Sequence, residues 1–329
     1  MPSSAGVPDL HQTRMASATH PPFHDELEAV WGARWGAWDE VGPLRKVLVR
    51  RPGDEFAQIR GDAWDEEAQA LVDPDGNWYW TDRTPPDLDK VAAQHEGLVQ
   101  VLREEGVEVV VAEPMGARYS KAVYIRDPLV TVPGGAIISR MAVRMRRGEE
   151  PDVTRLVAGQ GMPILSTLTG TAIAEGGSFM KLRPGVAAFG TSIRCNDEAA
   201  DQLREVLERI GWELIVVPLP GYTIHIDLNL AMVDVDRCLV KAAGLPFWFL
   251  EDLERRGFEL LHPAPGEEWA LNALCLAPGR LLLAEGSPAT VEKLRANGVD
   301  VVTIPYDEIQ KAGGGVHCST MELVREPGS

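Results

Sequence analysis

A leucine, a glycine four positions later and a short apolar run that stops at a proline recur along the chain. Leu102, Gly106 and Pro114 frame one copy, and Leu207, Gly211 and Pro218 another; Leu253, Gly257 and Pro263, then Leu294, Gly298 and Pro305, frame two more. The glycine ends a helix with a left-handed cap, and the chain passes straight into a β-run such as Val107, Val109 and Val111. Upstream, Asn196 is placed to cap a helix whose Leu203, Val206, Leu207 and Ile210 follow the i, i+3, i+4, i+7 stripe. A degraded copy around Gly161 sits near the middle of the doubled interval between Gly106 and Gly211, which makes five units.

Before each later helix come two short apolar runs split by turn residues, as in FMKLRPGVAAFG, NLAMVDVDRCLV and ALCLAPGRLLLAEG. The unit is therefore strand, turn, strand, helix, strand. No such unit can bury its own apolar face, so five should close into a ring around a shared axis. A conventional open α/β sheet is the competing reading. The first unit starts at Leu44 to Gly53 and carries an insertion at about 54–89, rich in Trp, Asp and Pro. A loop of that length covers a site, decorates the surface or makes an oligomer contact. Residues 1–24 read as a flexible polar leader, and 25–329 as a single catalytic domain.

Composition narrows the class. With 45% hydrophobic and 25% charged residues, the 329-residue chain has an ordinary globular make-up, which excludes disordered, collagenous and coiled-coil classes. No apolar run approaches the roughly 20 residues needed to span a bilayer, and the N-terminus lacks the layout of a secretory signal, so a cytoplasmic location is expected. The net charge of -17 repels nucleic acid and anionic membranes and suits a small cationic substrate. Four cysteines, Cys195, Cys238, Cys275 and Cys318, include no C-x-x-C pair and are expected to be free thiols.

Each unit opens with polar residues that an apolar core does not need: Tyr124 to Pro128, Glu175 to Ser178, His225 to Asp227, and Gly313 to Cys318. In a closed ring, equivalent positions converge at one end of the axis. His225 and Asp227, two apart on an expected strand, face the same side and present a base beside a carboxylate. The same pair also reads as a core histidine next to an edge aspartate. Three glycines before Cys318 allow close backbone approach and uncover the thiol, making it the best nucleophile candidate, although a Gly-rich tail is also simply a loop. A metal site from His225, Asp227 and Cys318 lacks established zinc spacing, and no phosphate-cradling glycine motif occurs.

Taken together, these motifs resemble the guanidine-modifying enzyme superfamily, the pentein-fold group of arginine deiminases, dimethylargininases, agmatine deiminases and amidinotransferases. The likeness runs from about Leu44 to Glu326 and rests on Y-I-R-D-P at Tyr124 to Pro128, E-G-G at Glu175 to Gly177, H-I-D at His225 to Asp227, and G-G-G-V-H-C at Gly313 to Cys318, in the family's order. The resemblance implies an α/β pentein fold, a five-bladed pseudo-symmetric propeller of ββαβ units. It also implies Cys318 as nucleophile, His225 as general acid/base, Glu175 as its partner, and Asp127 and Asp227 as a guanidinium clamp. Arg194, placed as in deiminases, is implied to grip a substrate carboxylate.

The expected activity is cofactor-free and metal-free hydrolysis of a guanidino compound through a covalent amidino-thioether, giving a ureido product plus ammonia or an amine. Amidino transfer from arginine to an amine is the alternative, since His317 before the cysteine resembles amidinotransferases. Ser178 stands where deiminases usually carry Asp, so arginine itself is not assured. Arg126 is expected to hold local structure through a carboxylate on a neighbouring unit, and Asn272 to line the pocket. A homo-oligomer is left open.

Overall fold

In the computed structural model, which describes residues 21–328, the repeating glycines all take the left-handed conformation. Their φ angles are 78° at Gly106, 90° at Gly161, 74° at Gly211, 89° at Gly257 and 77° at Gly298. They follow helices Leu88–Glu104, Glu149–Gly159, Asp197–Arg209, Phe247–Arg255 and Pro288–Ala296. Asn196 caps its helix as expected, its side chain accepting the Ala199 N–H at 3.1 Å. Of the expected leader, residues 1–20 lie outside the described residues; Phe23–Asp25 form a 3-10 turn.

Four units share one plan, with two antiparallel strands, a helix, and a third strand parallel to the second. They are Leu129–Val132, Gly135–Ile138 and Ile164–Thr167; Phe179–Arg183, Val186–Thr191 and Glu213–Pro218; Leu230–Asp234, Arg237–Val240 and Glu259–Leu261; and Leu274–Ala277, Arg280–Ala284 and Asp300–Ile304. In the remaining unit Leu44–Arg50 runs parallel to Glu108–Ala112, and its antiparallel partner is Met321–Arg325 from the far end of the sequence. Gly36–Ala37 extends that sheet. The sheets are separate three- and four-stranded blocks among the described residues, which rules against one open sheet.

The apolar faces meet between units. Met180, Leu230, Met232, Leu271, Cys275 and Leu281, from three successive units, belong to one buried cluster. Charge also crosses unit boundaries. Arg126 Nη2 lies 2.6 Å from Glu322 Oε2, and Lys181 Nζ lies 2.7 Å from Glu322 Oε1 and 2.6 Å from Glu40 Oε1, all in the protein interior. Arg126 thus holds structure through a carboxylate of another unit. Such a network fixes how the units meet, because removing one member strands a desolvated charge.

The insertion folds into a small antiparallel sheet of Trp64–Asp65, Ala70–Val72 and Tyr79–Trp80. Trp78 and Trp80 are buried with Phe56 and Leu71 against Leu98 of the first long helix, and the Arg83 guanidinium lies 4.1 Å from the centre of a Trp64 ring. These tryptophans pack the insertion down. Asp87 ends it by capping helix Leu88–Glu104, its side chain accepting the Lys90 N–H at 3.1 Å.

One local expectation fails. His225 and Asp227 do not lie on a strand: His225 is extended (φ -137°, ψ 152°), and Ile226–Leu228 form a 3-10 turn before strand Leu230–Asp234. The Glu175-Gly-Gly-Ser stretch behaves in the same way, with a turn at Gly176–Ser178 preceding strand Phe179–Arg183. The polar phrases are therefore entry turns, whose free backbone geometry lets several side chains aim at one point.

Candidate active site

These entry turns surround a cavity of about 90 Å³ lined by, among others, Tyr79, Lys121, Asp127, Arg146, Arg194, His225 and Cys318. Its size suits a small molecule. Gly177 records how tightly three of the groups converge. A β-carbon there would lie 2.7 Å from His225 Nδ1, 3.0 Å from Asp227 Oδ2 and 3.1 Å from Asp127 Oδ1. The second glycine of the E-G-G phrase therefore leaves room for the others.

Glu175 and His225 form the most strongly polarised pair. Glu175 Oε2 is 2.9 Å from His225 Nε2 and 2.9 Å from Arg194 Nη1, and Oε1 accepts the Ala142 N–H at 3.2 Å. Burial alone would raise the Glu175 pKa, but His225 and the Arg194 and Arg146 guanidiniums outweigh it and hold the carboxyl at about 2. Burial alone would lower the imidazole, yet Asp127, Glu175 and Asp227 raise it to about 9. His225 therefore rests as an imidazolium at neutral pH.

Cys318 is flanked differently. Asn272 Nδ2 is 2.9 Å from Sγ, Asn272 Oδ1 accepts the Cys318 N–H at 3.2 Å, and Asp227 Oδ2 is 3.9 Å from the sulfur. Burial, then the Asp227 and Asp127 charges, push the thiol well above its usual range. The other three cysteines are also free and buried, and desolvation pushes each up to about 12. The glycines before Cys318 do not uncover it. A β-carbon at Gly314 would meet the Tyr124 ring at 2.5 Å and one at Gly315 would meet Asn272 at 2.7 Å, so they admit those side chains against the backbone and the thiol stays buried.

The carboxylates are held from behind. Asp127 pairs with Arg146 through Oδ2 and accepts the Gly177 N–H through Oδ1 at 3.1 Å, while Oδ1 lies 3.8 Å from His225 Nδ1. Asp227 Oδ2 is 3.0 Å from His317 Nδ1, and its buried Oδ1 has no hydrogen-bond partner. A buried, unsatisfied carboxylate oxygen is costly unless a ligand supplies the donor. Donor atoms of Asp127, Glu175 and His225 also lie within 4.8 Å of one another. A metal there would compete with Arg146 and Arg194, which already pair with the two carboxylates.

Glu175 lies against His225, and Asp227 and Asn272 lie near the Cys318 sulfur, while Asp127, Arg194, His225 and Cys318 line the cavity. Two more basic residues do so without having been anticipated. Arg146, buried, donates to Glu149 through Nε and Nη2 at 2.8 and 2.7 Å and to the Tyr124 carbonyl at 2.8 Å. Its signal was in the chain: Arg146 follows Asp127 at the same spacing as Arg194 follows Glu175. Lys121 gave no such signal.

The chain is similar to known proteins over most of its length. Residues 85–246 match the family described as N,N dimethylarginine dimethylhydrolase, eukaryotic, and residues 264–325 match arginine deiminase. The chain is 28% identical to the N(G),N(G)-dimethylarginine dimethylaminohydrolase of Pseudomonas aeruginosa over 72% of its own length and 90% of the relative's. A crystal structure of the enzyme from that organism, complexed with citrulline, superposes with a TM-score of 0.69 at 22% identity, covering 85% of this chain and all of the other. An amidinotransferase from Microseira wollei, of a saxitoxin biosynthetic pathway, superposes at 0.66 with 16% identity, covering 89% of this chain and 98% of that one. The fold is the pentein fold. No helix among the described residues is long and apolar enough to cross a membrane.

Proposed function

We propose that this pentein-fold relative of the guanidine-modifying enzymes is a cysteine hydrolase that cleaves a C–N bond of a small guanidino compound. The observation that carries the reading is that a thiol, an imidazolium and the Asp127 carboxylate line one cavity, with the Asp227 carboxylate 3.9 Å from the sulfur and its buried Oδ1 unsatisfied. A guanidinium is planar, cationic and rich in N–H donors, so it supplies what Asp227 Oδ1 lacks.

In this reading the clamp also activates the nucleophile. Asp227 and Asp127 push the Cys318 thiol up, and a guanidinium bound between them offsets their charge and favours the thiolate. The thiol releases its proton to solvent as the guanidinium binds, and the thiolate sulfur attacks the guanidinium carbon, forming a C–S bond. His225, already an imidazolium, gives its proton to the departing nitrogen as the C–N bond breaks, leaving an amidino-thioether and ammonia or an amine. The now neutral His225 takes a proton from water; the resulting hydroxide attacks, the C–S bond breaks, and a ureido product leaves with Cys318 restored. Glu175 holds the imidazole ring in place and stabilises its charge.

Incubating the protein with guanidino acids, methylated arginines, arginine and agmatine, followed by a ureido assay, tests this. Turnover that disappears in Cys318→Ser is the expected result, together with a single amidino adduct on Cys318 after treatment with a haloacetamidine. No product across that panel and no adduct would overturn it. Amidino transfer shares the first half of the reaction. Ornithine released from arginine only when an amine acceptor is added would replace hydrolysis with transfer.

A further inference from the structure

The cavity wall includes a buried lysine. Lys121 is 5% exposed and lines the cavity with Arg146, Arg194 and Tyr79. Its Nζ donates to the Ala312 and Tyr79 carbonyls, the latter at 3.1 Å, and lies 3.3 Å from the centre of the Tyr79 ring. An ammonium has three N–H donors; two go to these carbonyls, and the third has no partner stronger than the Tyr79 ring. Arg194 is paired with Glu175, and Arg146 with Asp127 and Glu149, but Lys121 makes no ion pair among the described residues.

We propose that the substrate is an ω-guanidino acid, a molecule with a guanidinium at one end, a carboxylate at the other and no ammonium beside it, and that Lys121 selects it by binding that carboxylate. This rests on the guanidino-hydrolase reading above and goes on to name the substrate class. Two features of the site point the same way. The spare Lys121 donor, with Arg146 and Arg194 nearby, is an anion receptor that lacks its anion. The cavity carbonyls of Tyr79 and Ala312, the acceptors a substrate ammonium would seek, are already taken by Lys121 itself. An α-amino acid would have to displace a resident cation and place its own charge beside three others. Burial and the charges of Arg146 and Arg194 also hold the lysine pKa well below its usual value, so an anion in the cavity relieves that strain.

Calorimetric binding to the Cys318→Ser protein tests the inference without requiring turnover. Guanidinobutanoate and guanidinoacetate are expected to bind roughly tenfold or more tighter than guanidinobutanamide, arginine or agmatine. In the same background Lys121→Met should erase the preference for acid over amide. Arginine or agmatine binding as tightly as the acids, equal affinity for acid and amide, or a Lys121→Met protein that keeps the preference would each overturn it. If the buried substitution prevents folding, the acid–amide comparison in the protein that retains Lys121 decides alone. Failure of the hydrolase reading shows separately, as an unmodified Cys318 and no ureido product in the wild-type protein.

Discussion

The Asn272 side-chain amide donates to the Cys318 sulfur at 2.9 Å while its oxygen receives the Cys318 backbone N–H at 3.2 Å, so one residue both solvates the sulfur and fixes its position. Its hydrogen bond lowers the thiol pKa, against burial and two carboxylates that raise it. Asn272→Ala should therefore slow haloacetamidine labelling of Cys318 by about 10- to 100-fold, the worth of a hydrogen bond to a charged group. Labelling at the wild-type rate would remove Asn272 from this role.

The His225 pKa, raised from 6.5 to about 9, predicts a pH-dependent stability. The folded protein holds the proton more tightly than the unfolded chain, so the contribution is full below 6.5 and is lost as pH rises towards and through 9. Urea midpoints measured from pH 6 to 10, in steps of about one unit, should fall more steeply in the wild type than in His225→Asn. Parallel curves would refute the pairing.

Gly177→Ala tests the convergence directly, because the added methyl meets His225, Asp227 and Asp127 at 2.7 to 3.1 Å. A displacement of that kind costs on the order of 100-fold in turnover. The expected result is a folded protein, judged by circular dichroism, whose kcat has dropped. Unchanged turnover would mean that the three groups need not stay so close.

Arg126→Met should destabilise the protein by about 3–5 kcal/mol in chemical denaturation, since it removes one of the two cations that Glu322 and Glu40 share in the interior, the other being Lys181. A double variant, Arg126→Met with Glu322→Gln, should recover part of the loss. A single variant as stable as the wild type would show that the network contributes little.

The sequence made the unit plan readable because a helix-ending glycine must adopt positive φ and an apolar strand must be buried, and both demands are local. Leu207, Gly211 and Pro218 therefore mark element ends that the structure reproduces. The pairing of Leu44–Arg50 with Met321–Arg325 was not readable, since nothing in either strand names a partner from the opposite end of the chain. At the site, the motifs gave residue types and order, but periodicity mistook the His225–Asp227 entry turn for strand. Lys121 escaped notice for a different reason. Its position depends on two carbonyls and an aromatic ring brought in from distant segments, a three-dimensional coincidence that leaves no linear trace.

The late strand Met321–Arg325 begins three positions after Cys318, and it is the partner that completes the sheet begun by Leu44–Arg50. The segment that anchors the thiol therefore docks onto a strand made long before it. The sulfur is thus brought to rest beside Asn272 only after two segments far apart in the chain have found each other.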